Sequence, residues 1–248
     1  MTKKVVPTLL LILSWSFCAF GADGVAPATT PAPTNLRLPV VSTPLAPAVL
    51  LDPDAGAWQQ FPAQRLALHR TPPLYDTDPP ATLDIPLLEV RVARAEGKLL
   101  VHMNWRDPSG DISALAPAPD TAPETRNRKE PTAATERFFD AAAVMFPAGQ
   151  SGGRFTPSLQ MGDPGLPVTI YYWNAARGAV LMEAQGRGTT RRTEQSFPAR
   201  GSYRGGVWHV VLELPNLAPG VPLAFAVWNG SQLDRDGRKY FTVWHWLE

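Results

Sequence analysis

Cysteine is nearly missing from this chain: the one thiol among 248 residues is Cys18. It lies inside an N-terminal stretch with the layout of a secretory signal peptide. Lys3 and Lys4 form a short positive start, and Val5 to Phe17 are apolar apart from Pro7, Thr8, Ser14 and Ser16. Small residues follow at Ala19, Gly21 and Ala22, so cleavage is expected after Gly21. Removing residues 1–21 leaves no thiol. That excludes a disulfide, a thiolate metal site and a Cys-x-x-Cys-His attachment for covalent haem. A twin-arginine pair is missing too, and Phe17 is too large for the position before a lipoprotein cysteine. The exported chain is expected in the periplasm.

Other shortages exclude other classes. No later segment approaches about 18 consecutive apolar residues, so no membrane span is expected after cleavage. Basic runs are lacking, and losing Lys3 and Lys4 takes the formal net charge from +1 to −1; a nucleic-acid partner is not expected. The sequence holds no Gly-x-Ser-x-Gly, no phosphate loop and no His-Glu-x-x-His. The four histidines, His69, His102, His209 and His245, are far apart. His102 and His209 occupy the polar phase of their strands and are expected to face outward, whereas His245 shares the phase of Phe241 and Val243. There is no internal repeat, and no long segment sustains a helical period.

What remains is an arm followed by strands. Residues 22–48 are dominated by Ala, Pro and Thr, with almost no charge, and read as an extended, polyproline-like arm. Residues 49–248, roughly 200 in number, suffice for one domain with a sizeable core. Leu99, Val101, Met103 and Trp105 alternate with Leu100, His102 and Asn104. Trp208, Val210, Leu212 and Leu214 do the same with His209, Val211 and Glu213. Ala141 to Phe146, Val168 to Trp173, Leu223 to Trp228 and Phe241 to Trp246 add further apolar or aromatic strands. Turn signals such as Asp163-Pro164-Gly165 and Gly205-Gly206 separate strands. The expected fold is all-β with minor helix, a two-sheet sandwich. The polar, Pro-rich stretch 108–136 is expected to leave the sheets as a long excursion.

Two loops carry the chemistry. In Ser158-Leu-Gln-Met161-Gly162-Asp163-Pro164-Gly165-Leu166-Pro167-Val168, a methionine sits in a Gly/Pro-rich loop at a strand entrance. In Trp228-Asn-Gly-Ser-Gln-Leu-Asp-Arg-Asp-Gly-Arg-Lys239-Tyr240, a strand gives way to a charged turn and then an aromatic strand. Met161-Gly162 with Pro167-Val168, Trp228-Asn-Gly-Ser231 and Asp234-Arg-Asp-Gly-Arg-Lys239 together resemble the gamma subunits of type II enzymes of the dimethyl sulfoxide reductase family. Ethylbenzene dehydrogenase, dimethyl sulfide dehydrogenase, selenate reductase and chlorate reductase are of this kind. Leu51-Asp-Pro-Asp54 with Trp58, Trp105-Arg-Asp107, and Phe138-Phe-Asp140 ahead of Phe146-Pro147 also fit.

The resemblance implies a β-sandwich similar to family 9 carbohydrate-binding modules and one non-covalent haem b. The matching positions make Met161 and Lys239 its axial ligands, with Arg235 and Arg238 candidates for the haem propionates by charge alone. It further implies a non-catalytic electron-transfer subunit in a heterotrimer with a molybdopterin catalytic subunit and an iron–sulfur subunit. A soluble c-type cytochrome would be the outside carrier. The chemistry agrees: a thioether is a soft neutral ligand that favours ferrous iron, and burial disfavours the ammonium form of a lysine, freeing its lone pair. From the residues alone, Met161 also fits a core methionine and Lys239 a surface lysine. Two other readings are a carbohydrate-binding module, suggested by the tryptophans and tyrosines, and a stand-alone haem protein.

Overall fold

The computed structural model describes residues 36–72, 82–112, 138–149 and 156–248. The expected signal peptide, residues 22–35 of the expected arm and residues 113–136 of the long excursion lie outside the described residues. One compact unit spans Asn35–Glu248.

Fifteen strands are numbered in chain order among the described residues. They are β1 (Arg37–Leu38), β2 (Val40–Ser42), β3 (Gln64–Ala67), β4 (His69–Arg70), β5 (Leu87–Ala95), β6 (Lys98–Arg106), β7 (Ala141–Pro147) and β8 (Val168–Asn174). Then follow β9 (Gly178–Ala184), β10 (Arg191–Arg192), β11 (Ala199–Arg204), β12 (Val207–Pro215), β13 (Pro222–Trp228), β14 (Tyr240–Phe241) and β15 (His245–Leu247). A nine-stranded sheet runs β1-β15-β13-β7-β8-β9-β10, with β14 between β13 and β4. A six-stranded sheet runs β11-β12-β6-β5-β2, with β3 also on β5.

The two sheets face each other over one core, as alternation in the long strands predicts. Val90 and Val92 of β5, Val101, Met103 and Trp105 of β6, and Val210 and Leu212 of β12 come from the six-stranded sheet. Ala142, Val144, Trp173, Phe225 and Val227 come from the other. Each large apolar side chain so buried contributes about 1.5–3 kcal/mol, and the expected all-β sandwich is what these residues build.

Three expectations need correction. The compact unit begins at Asn35, not at Val49. β1 pairs in parallel with β15, and β2 in parallel with β5. A one-turn helix at Pro47–Leu50 and a 3₁₀ turn at Gly56–Gln60 then lay Leu50, Trp58 and Phe61 on Ala93, Ala95, Leu100 and Val211. Two- and three-residue strands held by backbone pairing carry no periodic pattern, so composition hides them.

His102 lies on the outer face of β6, but it is buried under Trp58, whose ring stacks on it at 4.7 Å. Burial holds its imidazole neutral, with a pKa lowered to about 3. Finally, Phe241 to Trp246 is not one strand. β14 pairs with Ala226 and Val227, and after a break at Thr242–Trp244 β15 pairs with Pro222 and Leu223. Thr242 bridges the break: its N–H donates to the Phe225 carbonyl at 2.9 Å, and its Oγ1 accepts from the Phe225 N–H at 3.0 Å.

Candidate functional site

The nine-stranded sheet is apolar on both faces. Odd and even residues of β7 part company: Ala142, Val144 and Phe146 enter the shared core, while Ala141, Ala143 and Met145 face the other way. On that outer face they join Val168 and Ile170 of β8, Ala184 of β9, and Ala224, Ala226 and Trp228 of β13. Solvent-facing sheet surfaces are normally polar, so a second apolar cluster here marks a face that something covers. Its floor is unusually flat. Ala141, Ala143, Ala224 and Ala226 stand side by side on two paired strands, since Ala226 pairs with Ala143.

The two loops singled out in the sequence reach this floor from opposite ends of the strands. Met161 precedes β8 and lies at the Val168 end, where its carbonyl accepts from the Gly186 N–H at 2.8 Å. Lys239 follows the turn after β13, at the end where Trp228 pairs with Ala141 and Ala141 with Asn174. Over the floor their tips meet. Lys239 Nζ stands 3.7 Å from Met161 Sδ and 5.4 Å from the ring centre of Trp228. Residues 78 positions apart are thus brought together.

The methionine loop is held in a costly shape. Met161 has φ 74°, a left-handed conformation that non-glycine residues rarely adopt. Gly162 follows at φ 80°, and a Cβ there would stand 2.7 Å from the Leu166 carbonyl, so only glycine fits. Asp163 Oδ2 accepts from the Ser158 N–H at 2.7 Å, and Asp163 exchanges backbone bonds with Leu166. Trp244 Nε1 donates to the Pro157 carbonyl at 3.0 Å, tying this loop to the segment beyond Lys239.

Ionic and backbone bonds hold the lysine loop. Asp234, its side chain fully buried, accepts two hydrogen bonds from Arg70 of β4 at 2.7 and 2.5 Å and one from Arg238 Nε at 3.2 Å. It also accepts from the Asn229 N–H at 3.0 Å. Thr71, next to Arg70, exchanges bonds with the Lys239 backbone: the Lys239 N–H donates to Thr71 Oγ1 at 2.9 Å, and the Thr71 N–H donates to the Lys239 carbonyl at 3.0 Å. Trp228 Nε1 donates to the Asp236 carbonyl. The position of Lys239 is therefore fixed on both sides. Burial lowers its pKa from 10.5 to about 8, opposed by the charge of Asp236.

Arg235 and Arg238 serve this loop. Arg238 is almost fully buried against Asp234; Arg235 lies over the Phe138 ring at 5.1 Å and donates to the Leu233 carbonyl. Further back, Asp140 accepts from the N–H groups of Gly230 and Asp111 and from Trp208 Nε1, and Asp111 accepts from Ser231. A Cβ at Gly230 would stand 2.2 Å from the Phe138 carbonyl. The Asp107, Asp140 and Trp-Asn-Gly-Ser231 motifs thus act together to start the loop. Asp107, buried near Asp140, has a pKa raised to about 7. Sequence spacing gave no sign of Arg70 and Thr71, which lie more than 160 positions from their partners.

His69 stands opposite Phe241 in the β4–β14 pair, its ring 5.8 Å from the Phe241 ring that packs on the outer cluster; the other three histidines stay out of this site. His245 is cross-strand to Leu223 and 6.5 Å from the Phe225 ring centre, on the face turned to the shared core. His102 and His209 belong to the other sheet. Among the described residues no group of three or more His, Cys, Asp or Glu is placed to hold a metal ion.

The fold and the site define a β-sandwich in which a thioether and an amine meet over the apolar outer face of one sheet. No family model matches the sequence. A respiratory nitrate reductase haem subunit from Haloferax mediterranei is 32% identical over 233 residues, covering 89% of this chain and 76% of the relative. The gamma subunit of dimethylsulfide dehydrogenase from Rhodovulum sulfidophilum is 28% identical over 221 residues (79% and 73%). The gamma subunit of chlorate reductase from Ideonella dechloratans is 28% identical over 206 residues (78% and 77%). The chain belongs to this family of haem-containing gamma subunits of molybdoenzyme complexes, and it is an electron-transfer subunit, not a catalytic one. A family 9 carbohydrate binding module from Caldicellulosiruptor kristjanssonii, in complex with glucose, is 11% identical with a TM-score of 0.39, covering 84% of this chain and 85% of that one. So distant a likeness carries no argument about function.

The residues fit a haem. An alanine floor lets a flat apolar macrocycle approach the sheet, and Trp228, Trp244, Tyr172 and Phe241 supply aromatic surroundings. The donor pair is one soft thioether and one amine already depressed toward its neutral form.

Proposed function

We propose that this chain binds one haem b, non-covalently, with Met161 and Lys239 as axial ligands, and relays electrons between an iron–sulfur subunit and a soluble carrier such as a c-type cytochrome. Its complex is a periplasmic heterotrimer completed by a molybdopterin catalytic subunit. The observation that carries the reading is the 3.7 Å approach of Lys239 to Met161 above the alanine floor. The names of the relatives, which include a nitrate reductase haem subunit, support the cofactor class. When bound, the iron supplies one-electron redox chemistry. Met161 favours its ferrous state, because a thioether is soft and uncharged. Lys239 can donate only as the neutral amine, which burial promotes. With both positions filled by protein, no open position is left for oxygen or substrate. Trp228 shields the amine, and Trp228 and Trp244 hold the loops that carry the two ligands.

The carbohydrate reading loses its support, since no tryptophan among the described residues is exposed. The test is spectroscopic. Purified protein should be coloured, release all its haem into acidic acetone, and show a low-spin spectrum. Lys239→Ala and Met161→Ala should each convert it toward high spin and admit carbon monoxide to the reduced form, and Met161→Ala should lower the potential. His245→Ala should change nothing. If His245→Ala, and not Lys239→Ala, abolishes the low-spin spectrum, the ligand assignment is wrong.

A further inference from the structure

β10 is only two residues long, and its two arginines have opposite fates. In the antiparallel pairing with β9, Arg191 stands opposite Glu183 and Arg192 opposite Met182. Directly opposed residues share a face. Arg191 therefore points to the same side as Glu183 and is ion-paired with it at 2.8 Å. Arg192 points to the side of Met182, which packs on the outer apolar cluster beside Met161. Its side chain is exposed and makes no ion pair or hydrogen bond among the described residues. An unpaired guanidinium thus borders a face otherwise paved with alanine, methionine and aromatic rings.

The charge of Arg192 is also felt by a ring of this face. Tyr172, on this same face, packs edge-on against Trp228, the ring that borders Lys239. Burial raises the pKa of the Tyr172 hydroxyl, which accepts a bond from Asn174 Nδ2 at 3.3 Å; the charges of Arg192 and Arg177 oppose that rise and Asp236 adds to it. A positive charge therefore lies at the β9–β10 edge of the cofactor face. Arg235 and Arg238, by contrast, are engaged within their own loop.

We infer that Arg192 binds a carboxylate of the ligand held on this face, a propionate if that ligand is haem; the inference rests on the haem reading above. A guanidinium presents paired donors that match a carboxylate, and the cluster it borders is apolar.

The experiment loads the full-length mature protein with haem or with haem dimethyl ester, in which the carboxylates are masked, and measures dissociation into excess apomyoglobin. Wild-type protein should release the ester roughly tenfold faster than the free acid, as loss of a charge-assisted hydrogen bond predicts. Arg192→Gln should release the free acid about as fast as the ester, with its low-spin spectrum intact. Arg191→Gln, on the opposite face, should behave as wild type. If Arg192→Gln still discriminates acid from ester as wild type does, the inference is overturned while the haem reading stands. If the wild-type chain takes up neither form, both fall.

Discussion

Both sheets of the sandwich carry an apolar stripe on the face turned away from the shared core, but the stripes are covered by different means. On the six-stranded sheet, Ala93, Ala95, Leu100 and Val211 are roofed by Leu50, Trp58 and Phe61 from the chain's own N-terminal segment. That roof is locked from within, as Trp58 Nε1 donates to the carbonyls of Leu50 and Asp52. On the nine-stranded sheet, the stripe is paved with alanines, and the loops above it end in a thioether and an amine. The first is a finished piece of core. In the second, the side chains at the centre are small and the groups above them are the ones proposed to hold a haem. A buried amine and a methionine at positive φ are poor ways to fill space; they become sensible once a metal takes their lone pairs.

This comparison can be broken at its firmest point. Trp58→Ala should cost about 3–5 kcal/mol of stability, read by denaturant unfolding. His102, no longer stacked under the indole, should titrate well above its present value of about 3. Haem affinity should not change, because the roof lies on the other sheet. A loss of haem with little loss of stability would show that the two outer faces are not independent.

A smaller effect is expected from filling the alanine floor. Ala226→Phe puts a ring where Ala226 and Ala143 stand paired. Overpacking costs about 1–3 kcal/mol, which should appear as roughly ten- to hundredfold weaker haem binding, measured by titration of the haem-free protein. Met145→Leu, at the margin of the same cluster and similar in volume, should bind haem nearly as wild type. Unaltered affinity in Ala226→Phe would mean that the floor is not the binding surface.

The smallest effect per step, yet the most diagnostic, is pH dependence. In the haem-free chain Lys239 titrates near 8, and only its neutral form can bind iron. Haem affinity should therefore rise about tenfold per pH unit up to about 8 and level off above it. The haem-free fold should itself gain stability between about pH 8 and 10.5. There the unfolded lysine still holds its proton and the folded one does not. Lys239→Met, with no titrating amine, should show neither trend.

Much of this was legible in the primary structure. Period-two alternation named β6 and β12, and apolar runs named β7, β8 and β13, because long strands print their burial on the sequence. Met161 and Lys239 stood out through their loop motifs. The short strands β1, β2, β4 and β14 left no such print, since backbone pairing holds them and any residue can supply it. Alternation puts Leu100 and His102 on the exposed side of a half-buried strand, yet both are buried, because nothing local foretells a roof built from residues 50–61. His245 shares the phase of Phe241 only if the strand is continuous, and the break at Thr242–Trp244 turns it into the shared core.

The sequence by itself determined the all-β class, the family and the two loops that carry Met161 and Lys239, because alternation, glycine-dependent turns and motif residues are local properties. Only the tertiary structure decided that Met161 and Lys239 meet, that the floor beneath them is alanine, and that Arg192 and not Arg191 borders the site. Each of these depends on strand register and on which face a side chain takes. Register is set by packing between segments far apart in the chain, and a shift of one residue would reverse every one of those faces.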